Sequence, residues 1–366
     1  MTQNYDRRAF LSRGTLTVAG VGLAATAGGT FLAACGSSDS SDGATKTTTG
    51  STGKKDLGTL DYQLSWIKNV EFAGAYIADT DGDYTDAGFS KVNLISGGPQ
   101  VAQDAVVQSG KAFYGISSPD ITGAAILKGA DLIIVGAQYQ KNPFAVMSLA
   151  DAPIKTPEDM YGKKIGVQAG NEAVWNGFIK ASGLDASQIT KVPVGFDPTP
   201  FAKGSAGVDG WFSFVTNEPN VLKEAGYDTV TFLLNDFGYP YVSETIMVKA
   251  SDIKKNPDKI KAALIGDIKG WTKAVADPAL GAKLAATKYG KDNKLDVDEQ
   301  TLESKAQNKL VSTADTDANG LFTITDDLQE KTIKSLKAGG LTIDPAKLFD
   351  LSLLDEVYKE NPDLKG

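Results

Sequence analysis

The chain has 366 residues, with 45 acidic against 37 basic side chains, one cysteine, no histidine and a formal net charge of -8. That balance argues against nucleic acid as a partner. Without histidine there is no Ser-His-Asp or Cys-His machinery and no imidazole-bound zinc or iron, so no catalytic residue and no cofactor is assigned.

Arg7, Arg8 and Arg13 are the only arginines, and all lie at the start of the chain. Behind them runs a Gly-, Ala- and Thr-rich apolar stretch. This is the layout of an export signal, and Asp6-Arg7-Arg8-Ala9-Phe10-Leu11 matches the twin-arginine pattern. A transmembrane anchor is the rival, weakened by the many Gly and Thr. Leu32-Ala33-Ala34-Cys35 resembles a lipobox, which implies cleavage before Cys35 and lipidation of its sulfur. Residues 1–34 are thus expected to be a signal peptide and 35–58 a lipidated cysteine with a flexible tether. The tether has no apolar side chain able to seed a core and an r.m.s. reach of roughly 25 Å. The mature chain would carry a net charge of about -10, from -8 less three Arg and one Asp, and no arginine. It therefore lacks the guanidinium fork suited to sulfonate, nitrate or phosphate.

The remaining ~310 residues are too many for one ordinary core. From residue 60 strand and helix patterns alternate. Strands are predicted over 61–67, 90–97, 112–118 and 131–140. Helices fall over 71–82, 98–110 and 119–129, the last with Pro119 in its first turn. The order predicts an α/β fold with parallel-type sheets and a ligand beyond the strand C-termini. Two apolar strands, 143–151 and 243–250, bracket a second α/β block with strands near 163–170, 189–195, 207–215 and 229–236. Beyond residue 251 the pattern is mostly helical. One lobe interrupted by another predicts lobe 1 as 59–145 plus 246–366 and lobe 2 as 146–245, with two hinge crossings.

Three segments carry a family resemblance: "WIKNVEFAGAYIADTDGDYTDAGFSKVNLISGG" (66–98), "KTPEDMYGKKIGVQAG" (155–170) and "GVDGWFSFVTNEPNVLKEAGYD" (207–228). Together they resemble the ABC-transporter solute-binding lipoproteins of the nitrate, sulfonate and thiamine-pyrimidine-precursor group. The resemblance spans roughly 60–340. It implies a two-lobed, type II periplasmic-binding-protein fold and capture of a small solute for an ABC permease. It also implies a lipid anchor on the extracytoplasmic face of the cell membrane, and a monomer. The opening and the "NEP" segment are most similar to binders of thiamine pyrimidine precursors, with riboflavin binders next. Sulfonate or nitrate binding, a pyrimidine-forming enzyme and a surface sensor module are the alternatives. The related fungal enzymes use a histidine and a Cys-rich iron site, which this chain lacks.

A flat heteroaromatic ligand calls for aromatic faces. Trp66, Phe72, Tyr76, Tyr114, Tyr139, Trp175, Trp211, Phe214 and Tyr239 stand at loop or strand ends, with core packing as the competing explanation. Asn69, Ser117, Ser118, Gln138, Gln168, Asn171 and Asn217 offer neutral polar contacts. Glu172 and Glu218 suit an amino group, or alternatively cap helix starts. Asp315, Asp317, Asn319, Gly320 and Asp326 fall at positions 1, 3, 5, 6 and 12 of a calcium loop, against the simpler reading of a turn before the last long helix.

Overall fold

The computed structural model describes residues 56–98 and 100–365. The expected export signal, Cys35 and nearly all of the expected tether lie outside the described residues. Among the described residues no helix is long and apolar enough to cross a membrane.

The strands are β1 Thr59–Gln63, β2 Lys91–Ile95, β3 Tyr114–Ser117, β4 Ile133–Tyr139, β5 Phe144–Leu149, β6 Lys164–Gln168, β7 Thr190–Val194, β8 Gly210–Phe214, β9 Thr229–Leu233 and β10 Ser243–Val248. They form two five-stranded sheets, ordered β2-β1-β3-β10-β4 and β7-β6-β8-β5-β9. The sheets are mixed, which corrects the parallel-type expectation. β10 runs antiparallel to β3 and β4, and β5 antiparallel to β8 and β9. The strand that arrives from the other lobe enters its sheet in the opposite sense, so each crossing reverses one strand.

The two crossings are tied together. Asn142, fully buried between β4 and β5, donates from Nδ2 to the Tyr239 carbonyl at 2.9 Å and accepts from the Phe144 amide at 3.2 Å. The helix Asp326–Ala338 braces the second crossing, with Thr332 Oγ1 accepting from the Val242 amide and Ser335 Oγ donating to the Pro240 carbonyl. Two of the four edge strands, β7 and β4, are visibly protected. β7 exposes Lys191 and carries Pro193, which spoil it as a template for another strand. β4 is buried along its whole length because Phe349 bridges Ile134 and the Phe322 carbonyl accepts from the Ala137 amide.

Helix Pro257–Ala276 is the main support of lobe 1. Ile260, Ala263, Leu264, Asp267, Ile268 and Trp271 recur at helical spacing on its buried face. It crosses helix Ala73–Asp81 at glycines: a Cβ on Gly270 would lie 2.0 Å from the Gly74 carbonyl oxygen, and one on Gly74 2.2 Å from the Trp271 ring. Neither backbone nor buried indole can give way. Gly270→Ala is expected to destabilise lobe 1 by about 1–3 kcal/mol or more, read as a lower urea midpoint at unchanged slope. On the same helix Asp267 accepts hydrogen bonds from the hydroxyls of Tyr62, Tyr84 and Tyr114. Burial still pushes its carboxyl up to about 7.

The proposed calcium segment is not a loop. Ala314–Asn319 is helical, so Asp315 and Asp317, two residues apart, point to different sides. Asp326 opens the next helix. Gly320, at φ 98, ends the first of these helices.

Candidate functional site

A cavity of about 450 Å³ lies between the two sheets, at the C-terminal ends of β1, β3, β6 and β8. Lobe 1 lines it with Ser65, Trp66, Asn69 and Glu71 after β1, with Ser117 ending β3 and Ser118, Asp120 and Ile121 beyond it, and with Ser243 and Glu244 of β10. Lobe 2 contributes Phe144 of β5, Asn171 and Val174 after β6, Phe196 after β7, and Phe214, Thr216, Asn217 and Glu218 at the end of β8. Glu303 reaches in from helix Val297–Val311, which packs against both lobes.

Aromatic side chains form part of the wall. Phe144 and Phe214 meet edge to face, with ring centroids 4.6 Å apart. Trp66 is half-buried, and Phe196 is 60% exposed. Large apolar side chains left this open beside a cavity are free to cover a ring.

The charged lining is acidic: Glu71, Glu218, Glu244 and Glu303, with Asp120 at the same wall and no lysine among the described lining residues. Glu218 is the first residue of helix Glu218–Glu224, and its Oε2 accepts from the Phe214 amide at 2.8 Å. Burial nevertheless pushes its carboxyl up to about 7. Glu303 accepts from Asn69 Nδ2 at 3.2 Å and Gln300 Nε2 at 2.8 Å, and burial pushes it up to about 8. The Glu71 and Glu244 carboxyls lie against each other, and Ser65 Oγ donates to Glu244 Oε2 at 2.6 Å. Burial, with the Glu244 and Glu303 charges beside it, holds Glu71 well above the usual carboxylate range. Glu244 sits at φ 45, a left-handed conformation that costs a non-glycine residue about 1–3 kcal/mol.

Of the residues expected at the site, the structure brings Trp66, Asn69, Ser117, Ser118, Asn171, Phe214, Asn217 and Glu218 to the cavity wall. The others stand elsewhere. Phe72, just before helix Ala73–Asp81, and Tyr76 on its inner side are fully buried, and Tyr114 of β3 and Tyr139 of β4 lie in the lobe 1 core. Trp175 packs edge-on against Phe212, and Tyr239 against Phe178 and Tyr241. Trp211 alternates with Phe212 and Phe214 along β8, so its side chain falls on the opposite face, against Phe201 and Leu222. Gln138 donates to the Glu71 carbonyl at 2.9 Å. Gln168 donates to the Phe212 carbonyl and accepts from Asn171 Nδ2 at 3.0 Å, which orients a residue of the wall. Glu172 is exposed and paired with Lys191.

Residues not foreseen at the site are chiefly Glu71, Glu244, Glu303 and Phe196. A signal existed for Glu303: Gln300, Glu303, Ser304 and Gln307 lie at helical spacing on one face of their helix. A wholly polar face on the same helix as Leu310 and Val311 asks for a buried polar purpose.

Two α/β lobes joined by two crossings, with a walled cavity at the strand ends between them, define the type II periplasmic-binding-protein fold. The putative periplasmic sulfonate-binding protein SsuA of Methylobacillus flagellatus KT superposes with a TM-score of 0.61 over 85% of this chain and 97% of that one, at 18% identity. The chain belongs to the NMT1/THI5-like family, whose model matches residues 69–280. Among its relatives, the formylaminopyrimidine-binding protein of Halalkalibacterium halodurans is 25% identical over 256 residues, 68% of this chain and 72% of the relative. The riboflavin-binding protein RibY of Chloroflexus aurantiacus is 24% identical over 220 residues, 59% of this chain and 62% of the relative.

Proposed function

We propose that this protein is the substrate-binding lipoprotein of an ABC importer, anchored through Cys35 on the extracytoplasmic face. It captures one small, flat, nitrogen-rich heteroaromatic solute between its lobes and presents it to a permease. Lobe 1 is taken as 59–145 plus 246–366 and lobe 2 as 146–245. A ligand that touches both lobes favours the closed state, and closure is the signal the permease reads.

The observation that carries this reading is the composition of the cavity wall. Trp66, Phe144, Phe196 and Phe214 offer ring faces, Asn69, Asn171 and Asn217 offer amides, and four glutamates accept hydrogen bonds from amino groups. A sulfonate or nitrate would meet carboxyl groups where it needs cations, and among the described residues no lysine lines the wall to supply them. The volume lies within the range of small-molecule sites. The likeness to the formylaminopyrimidine- and riboflavin-binding relatives supports the same ligand class, with a thiamine pyrimidine precursor first and a flavin second.

Titration calorimetry with a formylaminopyrimidine, riboflavin, taurine and nitrate tests it. Heat from one of the heterocycles and none from the anions is expected. Binding of taurine or nitrate without either heterocycle would overturn the ligand assignment.

A further inference from the structure

We infer that the cavity takes its ligand as a cation: a protonated nitrogen carried on the flat ring displaces the proton shared between Glu71 and Glu244, and is held by those two carboxylates together with Glu303. The inference rests on the heteroaromatic reading above and adds the charge state of the ligand and the proton it exchanges.

The geometry comes first. Three chain segments far apart in sequence deliver carboxyl groups to one side of one cavity: Glu71 after β1, Glu244 from β10 and Glu303 from helix Val297–Val311. Glu303 and Glu244 are each 6% exposed, and Glu218 is 7% exposed. Carboxyl groups this buried are ordinarily paired with a lysine or arginine. Here hydrogen bonds from Ser65, Asn69, Gln300 and the Phe214 amide are what these carboxyl groups have instead. Glu71 and Glu244 can lie against each other only while one proton sits between them. That proton holds the place of a cation.

Among the described residues, the titratable groups that face the trio from neighbouring elements are acidic or phenolic. Tyr62 of β1 lies near Glu244, Tyr76 near Glu71 and Glu303, and Tyr139 of β4 near all three. Glu218 and Glu299 lie near Glu303. The buried Tyr76 hydroxyl has no hydrogen-bond partner although it feels both Glu71 and Glu303, so it is available to an acceptor brought close to them. None of these groups can neutralise a second carboxylate. If the shared proton leaves, the ligand must replace its charge. The step balances: one ligand cation enters, one proton leaves to solvent, and no bond other than the shared O–H is broken.

An aromatic ring alone would be served by Trp66, Phe196 and Phe214. The acidic side of the cavity therefore discriminates among rings by charge. It rejects anions by repulsion, and it places neutral analogues at a disadvantage because they cannot compensate Glu71 and Glu244 together.

The test uses two probes that differ at one nitrogen: 4-amino-5-aminomethyl-2-methylpyrimidine, whose primary amine is protonated, and its neutral N-formyl derivative. Calorimetry is run in phosphate and in ACES, which both buffer there and whose ionisation heats differ, between about pH 6 and 7.5. The amine is expected to bind at least about tenfold tighter than the amide. It should release about one proton per ligand near pH 6, with affinity rising as pH rises. In Glu244→Gln and separately in Glu71→Gln, the amine-to-amide ratio should fall toward one and proton release should vanish. Two variants guard against one misfolding. If the amide binds as tightly as the amine, or the amine binds with no proton released, the cation assignment fails while the heteroaromatic reading stands. If neither probe nor riboflavin binds at any pH, the heteroaromatic reading fails and this inference falls with it.

Discussion

Protein stripped of ligand should melt at a lower temperature at pH 8 than at pH 5.5, by about 5–10 °C. Burial raises Glu303 to about 8, and Glu218 and Asp267 to about 7. In the unfolded chain these groups titrate near 4. Between roughly pH 5 and pH 8 the folded protein therefore holds protons that the unfolded chain has released. Stability falls as pH rises wherever the folded state binds the extra protons. Each pKa unit corresponds to about 1.4 kcal/mol, so even a heavily discounted sum of three buried groups amounts to a few kcal/mol, and each kcal/mol moves the midpoint of a domain this size by roughly 2–4 °C. The depressed carboxyls Asp159, Asp185 and Asp197 work in the opposite sense, but only below about pH 4, and all three are on the surface. Glu303→Gln reproduces the protonated acid in shape, so it should raise the melting temperature at pH 8, leave it nearly unchanged at pH 5.5, and flatten the profile between them. Scanning calorimetry across that range decides the matter. A melting temperature that climbs from pH 5.5 to 8 would mean that the glutamates are ionised at little cost and that the cavity is wetter than its burial implies.

The fold was legible in the sequence because its signals are local. Alternating strand and helix patterns sit on the chain where the structure has them. β1 ends at Gln63, short of the expected 67, because the chain turns out of the sheet to deliver Ser65, Trp66 and Asn69 to the cavity. The site was only half legible. Asn69, Ser117, Asn171 and Glu218 stand at a strand end or within a few residues beyond one, so the rule that ligands bind beyond strand C-termini finds them. Glu71, Glu244 and Glu303 are brought together by packing of segments more than fifty residues apart, and no local pattern encodes that meeting. The aromatic side chains misled for a different reason. A ring at a strand end and a ring in a core have the same local sequence, and only strand parity separates Trp211, turned toward Phe201, from Phe214, turned toward the cavity.

That parity gives the second large effect. Of the four tryptophans, Trp66 alone lines the cavity. Trp66→Ala should weaken binding of a heteroaromatic ligand by about 10- to 100-fold, the loss expected when one stacking face and its buried area are removed. The melting temperature should move little, because Trp66 is only half-buried. Trp211 makes the opposite case. It is 1% exposed, tilted against Phe201 at 6.0 Å between ring centroids, and walled by Met147 and Leu222. Trp211→Ala should cost about 3–5 kcal/mol of stability by opening a cavity in lobe 2. The fraction that folds should bind ligand within about twofold of the parent. Tryptophan fluorescence reads both at once. Ligand should quench emission in the parent and in Trp211→Ala, and the quench should be largely lost in Trp66→Ala. A Trp66→Ala protein that keeps both its quench and its affinity would remove the indole from the site and leave Phe144, Phe196 and Phe214 to hold the ring from lobe 2 alone.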